Sequence, residues 1–270
     1  MLSRNVNNPP QVITIAGFDP SAGAGILADI KAFEHCKIYG KAVCTALTIQ
    51  NENKFLKPNW LSWEQIKEQL EILGEKYGMH NMDERVTPNN KTTYIKIGLM
   101  ENPLILEKIF KYLQKKYPSV FIIWDPILKA STNFEFHREN AVSWRKIMSY
   151  ANLITPNLPE AEFLGIEKGH PKVAVLVKGG HLKIKSGHSP SADENSKSTD
   201  ILYLPNGEIV KFSSKRINAE RHGSGCTLSA LILANLAQGK SLVNSCKSAK
   251  HKVLRLFNCN FGGKLGVLWR

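Results

Sequence analysis

The sequence has no apolar run that approaches the ~18 residues a membrane-spanning helix needs. Its first ten residues are polar and lead directly into an apolar segment, so a secretory signal is not expected. The five cysteines are widely spaced and include no Cys-x-x-Cys pair, which indicates reduced thiols rather than a disulfide framework. We therefore expect a cytoplasmic protein with no membrane partner.

Motifs for several other functions are also missing. Lys and Arg total 36 against 23 Asp and Glu, but no more than two basic residues stand together and no nucleic-acid-binding motif is present. We interpret the formal charge of +13 as lysines spread over a solvated surface, with a mild preference for anionic ligands and no nucleic-acid partner. Zinc-ligand spacings and a Walker A loop are absent as well.

Short β-branched segments alternate with segments of helical periodicity. The composition, 43% apolar and 22% charged over 270 residues, is typical of a globular protein and excludes intrinsic disorder. The predicted strands are 12–16, 43–48, 94–97, 120–124, 153–155 and 173–177. The predicted helices are 26–36, 63–77, 104–117, 141–150, 159–164, 227–238 and 242–257. This order predicts an α/β fold, a doubly wound and mostly parallel sheet with helices on both faces, in one domain over residues 1–270.

A small antiparallel hairpin is predicted after the parallel strands. Two β-prone segments, 201–204 and 209–212, flank a turn that contains Pro205, Asn206 and Gly207. The stretch before them, residues 185–199, is rich in Ser, Lys and acidic residues and has almost no apolar side chains. We expect this stretch to be a mobile loop.

The residues that follow each predicted strand are informative, because ligands of open parallel sheets bind beyond the carboxyl ends of the strands. These positions are rich in glycine, amide, carboxylate and lysine groups, which are typical of a phosphate and metal site. They are Gly17, Asp19, Gln50, Asn51, Gly98, Asp125, Pro126, Pro156, Asn157, Lys178, Gly179 and Gly180.

The segment GSGCT, residues 223–227, opens a long apolar helix. Its glycines allow a ligand to approach the backbone, and the free N–H groups and the helix dipole favour an anion, so Gly223, Ser224 and Gly225 are candidates for an anion hole. The same field predicts a lowered pKa for the Cys226 thiol, which makes Cys226 a candidate general base or nucleophile. A glycine-rich turn with a small buried cysteine is the alternative interpretation.

A second glycine-rich segment, GFDPSAGAG at residues 17–25, separates the first strand from the first helix. Residues 23–28 match the dinucleotide pattern G-x-G-x-x-A, but six residues separate this match from the strand and no acidic residue ends the second strand. A dinucleotide oxidoreductase is therefore disfavoured, and we expect the loop to hold a small molecule against its backbone. Asp29 in the following helix either reaches a polar edge of that molecule or only favours the helix dipole.

Two carboxylates, Asp125 and Glu160, follow separate predicted strands and could together hold Mg²⁺ through water. Taken singly, Asp125 is explained as a turn carboxylate and Glu160 as a charge at a helix N-terminus. Lys178, in the segment KGGH at residues 178–181, adds a cation after another strand.

These segments occur in an order that resembles the ribokinase-like superfamily and, within it, the hydroxymethylpyrimidine/phosphomethylpyrimidine kinases. The resemblance covers most of the chain and rests on the segments ITIAGFDPSAGAGILADIKAF, TALTIQN, IKIGLM, WDPILK, LITPNLPEAEFLG, VLVKGGHL and HGSGCTLSALILANLAQG. It implies ATP-dependent phosphorylation of a pyrimidine hydroxymethyl group, in many members followed by phosphorylation of the resulting monophosphate. It also implies a homodimer. A cysteine at position 226 is typical of this branch, whereas relatives with other substrates usually carry Asp there.

The resemblance assigns roles to individual residues. Gly17, Asp29 and Gln50 would line the pyrimidine pocket, with Gln50 at a ring edge. A second set would face the nucleotide phosphates and Mg²⁺, with Asp125 beside it: Asn157, Glu160, Lys178 and Gly180. Cys226, as a thiolate, would take the proton of the hydroxymethyl group.

Departures from the family pattern leave alternatives open. Phe18 stands where relatives commonly have Ser. The stretch from Leu158 to Lys172 has only fifteen residues, where relatives carry a longer crossover, and a parallel crossover needs at least about 10–12 residues. A pyridoxal or pyridoxine kinase of the same fold and a non-catalytic small-molecule sensor are the two alternatives.

Overall fold

The computed structural model describes residues 11–51, 54–75, 92–128, 141–179, 197–215 and 222–258. Its nine strands are β1 (Gln11–Phe18), β2 (Tyr39–Gln50), β3 (Phe55–Trp60), β4 (Thr93–Ile97), β5 (Val120–Trp124), β6 (Leu153–Ile154), β7 (Ala174–Val177), β8 (Lys197–Tyr203) and β9 (Ile209–Lys215). The helices in these residues are α1 (Gly25–His35), α2 (Trp63–Glu75), α3 (Pro103–Lys116), α4 (Ala141–Arg145), α5 (Leu158–Leu164), α6 (Ser224–Ala237) and α7 (Leu242–Asn258), with a 3-10 turn at Met148–Tyr150.

The strands form one sheet in the order β3-β2-β1-β4-β5-β6-β7-β8-β9. Neighbouring strands from β2 through β1 and β4 to β7 pair in parallel, whereas β3 at one end and β8 and β9 at the other pair antiparallel. The predicted mostly parallel sheet and its hairpin are therefore confirmed. The strand order reverses between β1 and β4, which is where an open α/β sheet forms a crevice for a ligand.

Helices cover both faces of the sheet, as predicted. Alternate side chains of one strand point to opposite faces, so that Ile13 lies in a core with α2, α3 and α5, and its neighbour Val12 lies in a core with α1, α6 and α7. Helix α6 is buried on nearly all sides, because it lies between the sheet, α1 and α7. No helix of the described residues is both long and apolar enough to cross a membrane.

Several elements differ from the sequence-based expectation; the helix predicted over 141–150, for example, is α4 over Ala141–Arg145 followed by the 3-10 turn. Strand β3 was not predicted, because the strand contains Pro58, which removes a backbone donor and is tolerated only at a sheet edge. Residues 197–199 were expected in a mobile loop, which is wrong, because they pair with Ser213, Ser214 and Lys215 of β9. The rest of that loop, 185–196, lies outside the described residues. The short crossover between β6 and β7 does join two parallel strands.

Candidate active site

The carboxyl edge of the sheet continues as a backbone ladder beyond the strands. The amides of Gly98, Asp125 and Thr155 donate to carbonyls of the neighbouring strands over 2.9, 2.8 and 3.0 Å. The amide of Lys178 donates to the carbonyl of Pro156 over 2.8 Å. Residues far apart in the sequence are thereby fixed side by side at this edge.

Lys178 lies between the two predicted carboxylates. Its Nζ donates to Oδ1 of Asp125 over 2.8 Å and lies 4.0 Å from Oε2 of Glu160. Although burial disfavours the charged form, Asp125 and Glu160 raise the pKa of Lys178 above its ordinary value. The side chain keeps 15% of its surface exposed, so this ammonium is a fixed cation that can still meet a ligand.

Asp125 is buried, and both of its carboxylate oxygens accept hydrogen bonds. Besides Lys178, Oδ1 accepts from the Thr155 hydroxyl at 2.9 Å, and Oδ2 accepts from the Ser229 hydroxyl at 3.2 Å. Burial opposes ionisation, but Lys178 and Lys96 together lower the pKa of Asp125 below its ordinary value. Asp125 is thus the counter-ion of Lys178 in this structure.

Glu160 and Asn157 form a capping box at the start of α5. The Asn157 side chain accepts from the amide of Glu160 at 2.9 Å, and the Glu160 carboxylate accepts from the amide of Asn157 at 2.7 Å. Burial, opposed by Lys178 and reinforced by Asp125, raises the pKa of Glu160 to about 7. A ligand or ion that brings further positive charge close to Glu160 would therefore favour its ionised form.

The predicted anion hole forms the first turn of α6. Gly223 is the N-cap, with φ of 76°, and the amides of the first helical turn have no acceptor within the helix. A Cβ on Gly225 would lie 3.0 Å from Nζ of Lys178, so the ammonium lies against this turn. The structure therefore brings the predicted cation and the predicted anion hole together.

Cys226 lies in the same turn and is only 7% exposed. The backbone of Gly25, the first residue of α1, is among the groups that lower the pKa of its thiol. The expected lowering of its pKa is nevertheless wrong. Burial, with the charges of Asp125 and Asp29, outweighs the opposing effect of Lys96 and raises the pKa of Cys226 to about 11.

Asp19 joins the two glycine-rich segments. Its carboxylate accepts from the amide and hydroxyl of Ser21 and from the amide of Ala24, at 2.8 to 2.9 Å. Its Oδ2 also lies 2.8 Å from Nε2 of His222, directly before the anion hole. Burial opposes ionisation, but the hydrogen bonds with His222, Ser21 and Ala24 keep the pKa of Asp19 below its ordinary value. Asp19 was among the positions noted after the predicted strands, whereas nothing in the sequence pattern pointed to His222.

The predicted substrate residues differ in their surroundings. Gly17 and Gln50 lie near the ends of the adjacent strands β1 and β2, and the Gln50 amide donates to the Thr48 hydroxyl at 2.9 Å. Asp29 is fully buried, so its carboxylate has no exposed surface in this structure. Gly180 lies outside the described residues.

Lys96 is the buried cation that sequence analysis missed. It stands in the middle of β4, is fully buried, and pairs with Asp29, which also accepts from the Thr14 hydroxyl at 2.6 Å. A charged residue between two isoleucines of a short apolar strand is the signal that could have revealed it.

A second buried pair supports the turn that carries Lys178. Asp200 of β8 accepts from the amide of Gly179 at 2.8 Å and from Nζ of Lys250 at 2.9 Å. Both partners of this pair are less than 10% exposed. Through the hydrogen bond of Asp200 to Gly179, the pair holds the backbone next to Lys178 in place.

A fixed ammonium, a helix N-terminus and two carboxylates at the carboxyl edge of a parallel sheet are the groups that a small-molecule phosphotransferase needs. The arrangement of this sheet, with helices on both faces and an antiparallel hairpin, is that of the ribokinase-like kinases.

Comparison with known proteins narrows this class. Residues 19–266 match the family model for phosphomethylpyrimidine kinase. A hydroxymethylpyrimidine/phosphomethylpyrimidine kinase of Aquifex aeolicus is 33% identical over 256 residues, which cover 88% of this chain and 90% of the relative. The chain therefore belongs to the phosphomethylpyrimidine kinase family.

Solved structures agree with this assignment. An ADP complex of Bacillus subtilis pyridoxal kinase superposes with a TM-score of 0.72 at 25% identity, covering 94% of this chain and 93% of the other. The phosphomethylpyrimidine kinase of Clostridium difficile 630 gives 0.67 at 28% identity, covering 92% and 99%. The ribokinase-like fold implied by the sequence is confirmed.

Proposed function

We propose that this protein transfers the γ-phosphoryl group of ATP to the hydroxymethyl group of 4-amino-5-hydroxymethyl-2-methylpyrimidine, and then phosphorylates the resulting monophosphate, in thiamine biosynthesis. Family membership supports the reaction class. The observation that carries the proposal is the contact of Lys178 with both Asp125 and the first turn of α6. A migrating phosphoryl group needs positive charge and N–H donors at one point, and this contact supplies both.

The residues present fit a magnesium ion that accompanies the nucleotide. The carboxylate of Glu160, which lies 4.0 Å from Nζ of Lys178, would face such an ion through water, with Asp125 behind Lys178. When bound, Mg²⁺ neutralises charge on phosphate oxygens. Asn157, held in the capping box, and Gly180 would complete the nucleotide side of the site.

Cys226 is the candidate base for the acceptor hydroxyl. With a pKa of about 11, its thiol is almost entirely protonated near pH 8, so the proton must leave to water before the sulfur can accept the substrate proton. Gly223, Ser224 and Gly225 would meanwhile hold the phosphoryl oxygens through their amides.

The pyrimidine would lie between the ends of β1 and β2. Gly17 would line the ring with its backbone, since the side chain of Leu99 fills the position that a Cβ on Gly17 would take. Gln50 would offer its amide to a ring edge, and the buried Asp29 would act from behind through Lys96. Phe18, which is 36% exposed beside Gly17, makes this wall more apolar than the Ser common in relatives.

A pyridoxal kinase is the second candidate, because the superposition with the Bacillus subtilis pyridoxal kinase is at least as good as that with the phosphomethylpyrimidine kinase. Pyridoxal also carries a hydroxymethyl group on a flat ring. ADP release should be measured in parallel with hydroxymethylpyrimidine, its monophosphate and pyridoxal. Turnover of pyridoxal alone would reject the main proposal, and absence of ADP with all three would indicate a sensor.

Cys226→Ala tests the base. We expect kcat to fall about 10²–10⁴-fold, the usual contribution of general base catalysis, while ATP still binds. A kcat close to that of the unmodified protein would remove Cys226 from the mechanism.

We also propose that the protein is a cytoplasmic homodimer and that each chain forms one domain. Leu47, Ile49 and Leu56 of the β2–β3 edge are 43–55% exposed, an apolar surface that a second copy would cover. The four described cysteines are free thiols, which suits a reducing compartment. Sedimentation equilibrium of the intact protein checks the dimer, and a monomer at micromolar concentration would reject it.

A further inference from the structure

The side chain of Thr48 links the end of β1 to Gln50. Thr48 and Gln50 lie on the same face of β2, because alternate residues of a strand share a face. The Thr48 hydroxyl donates to the carbonyl of Phe18, the last residue of β1, over 2.8 Å. The amide nitrogen Nε2 of Gln50 donates to the same hydroxyl over 2.9 Å. One amide group is thereby tied to both strands that flank the proposed pyrimidine pocket.

These two hydrogen bonds define the orientation of the Gln50 amide. A carbonyl oxygen can only accept, so the single hydroxyl proton of Thr48 is used for Phe18. The Gln50 atom beside the hydroxyl must therefore be a donor, and the amide nitrogen is the only donor in that side chain. The amide oxygen Oε1 lies on the opposite side of the group, and none of the described residues donates to it.

The surroundings of Thr48 hold the amide in this orientation. If the amide turned over, Oε1 would meet the hydroxyl oxygen, and the hydroxyl proton would have to leave the carbonyl of Phe18. A hydrogen bond would then be lost beside a threonine that is only 4% exposed, which is unfavourable because water cannot easily replace it. Gln50 itself is half-buried at the end of β2, so a ligand can still reach its side chain.

We propose that Thr48 is a positioning residue for substrate selectivity, because it presents Oε1 and the second N–H of Gln50 to the ring in a fixed order. The proposal rests on the proposed function, in which Gln50 meets a ring edge, and it names the chemistry that this edge must have. An amino group beside the hydroxymethyl group donates to Oε1, and the next ring nitrogen accepts from the N–H. Pyridoxal carries an aldehyde in place of that amino group, and an aldehyde oxygen can only accept. The fixed amide therefore favours the aminopyrimidine over pyridoxal.

Two pyrimidines of the same shape test the order of donor and acceptor. The amino compound, 4-amino-5-hydroxymethyl-2-methylpyrimidine, has a donor followed by an acceptor along this edge, whereas its 4-oxo analogue has an acceptor followed by a donor. Titration calorimetry without ATP gives the Kd of each compound. We expect the unmodified protein to bind the amino compound at least about tenfold more tightly, since the analogue leaves polar groups without partners. If the expected preference is found but no ADP is formed, the proposed kinase activity is rejected and this inference stands.

Thr48→Val is the informative variant, because valine has nearly the shape of threonine and lacks the hydroxyl. Without the hydroxyl, the Gln50 amide is free to turn and to present either end to the ring. We expect the ratio of the two Kd values to fall about five- to tenfold, which is the usual effect of one hydrogen bond. Thr48→Ala also lacks the hydroxyl and should lower the ratio as well, so it provides a second variant if valine prevents folding. Thr48→Ser keeps the hydroxyl and should keep the ratio.

Thr45, on the same strand, provides the matched control. Its buried hydroxyl donates to the carbonyl of Leu99 over 2.7 Å, so Thr45→Val removes a similar hydrogen bond to a different segment and should keep the ratio. An unchanged ratio in the Thr48→Val and Thr48→Ala variants, or an equal fall in Thr45→Val, would overturn the proposal. Equal Kd values of the two pyrimidines with the unmodified protein, or binding of neither, would also overturn it.

Discussion

Replacement of Gly223 by Ala should separate the two glycine-rich segments, residues 17–25 and 223–227, and abolish the anion hole. The residue has φ of 76°, and a Cβ there would overlap the carbonyl oxygen of Gly23. The left-handed backbone alone disfavours Ala by about 1–2 kcal/mol. The overlap adds to this, because it is with backbone that is itself held by the hydrogen bonds of Asp19, so we expect a total loss of more than about 2 kcal/mol.

Gly239, at the other end of α6, is the matched control. Its φ is 84°, and no described atom lies within 4 Å of the position that a Cβ would take. Gly239→Ala should therefore lose only the backbone contribution of about 1–2 kcal/mol and keep full activity. Urea unfolding measures the stability of both variants, and ADP release with the pyrimidine measures activity. If Gly223→Ala matched Gly239→Ala in stability and activity, the close approach of the two segments would be refuted as a requirement of the site.

Two further predictions concern pH. The folded protein retains the proton of Glu160 between about pH 4.5 and 7, where the unfolded chain has lost it, so stability from this group falls as pH rises through that range. Urea unfolding of Glu160→Gln should lack this loss, on the order of 3 kcal/mol, and parallel curves for the two proteins would contradict it. Because the pKa of Cys226 is raised to about 11, kcat should increase through pH 7 to 9 in stopped assays of ADP formation, whereas a plateau from pH 7 would exclude a buried thiol as the base.

The periodicity of the sequence was sufficient to predict the layers of the fold. The strands β1, β4 and β5 are short, β-branched and separated by helical segments, so their parallel arrangement follows from general rules of α/β proteins. Strand β3 could not be predicted in the same way, since its stability comes from pairing with β2 and not from its own residues.

The residue types of the site were also predictable, because Lys178, Asp125 and Glu160 each follow a strand. Their mutual contacts were not, since a distance of 2.8 Å between Lys178 and Asp125 depends on the register of three neighbouring strands, β5, β6 and β7. The pKa of Cys226 was predicted with the wrong sign for a related reason. The helix dipole is visible in a sequence, but the depth of burial and the neighbouring carboxylates are not.

That error clarifies why the interior of the site contains charge at all. A thiol enclosed by apolar side chains at the start of α6 would have a raised pKa and nothing to lower it again. Lys96, whose charge lowers the pKa of Cys226, is paired with Asp29, so the pair adds no net charge and can be buried. The pKa of Cys226 is therefore set by the balance of burial, Asp125 and Asp29 against Lys96, and none of these groups is adjacent to Cys226 in the sequence.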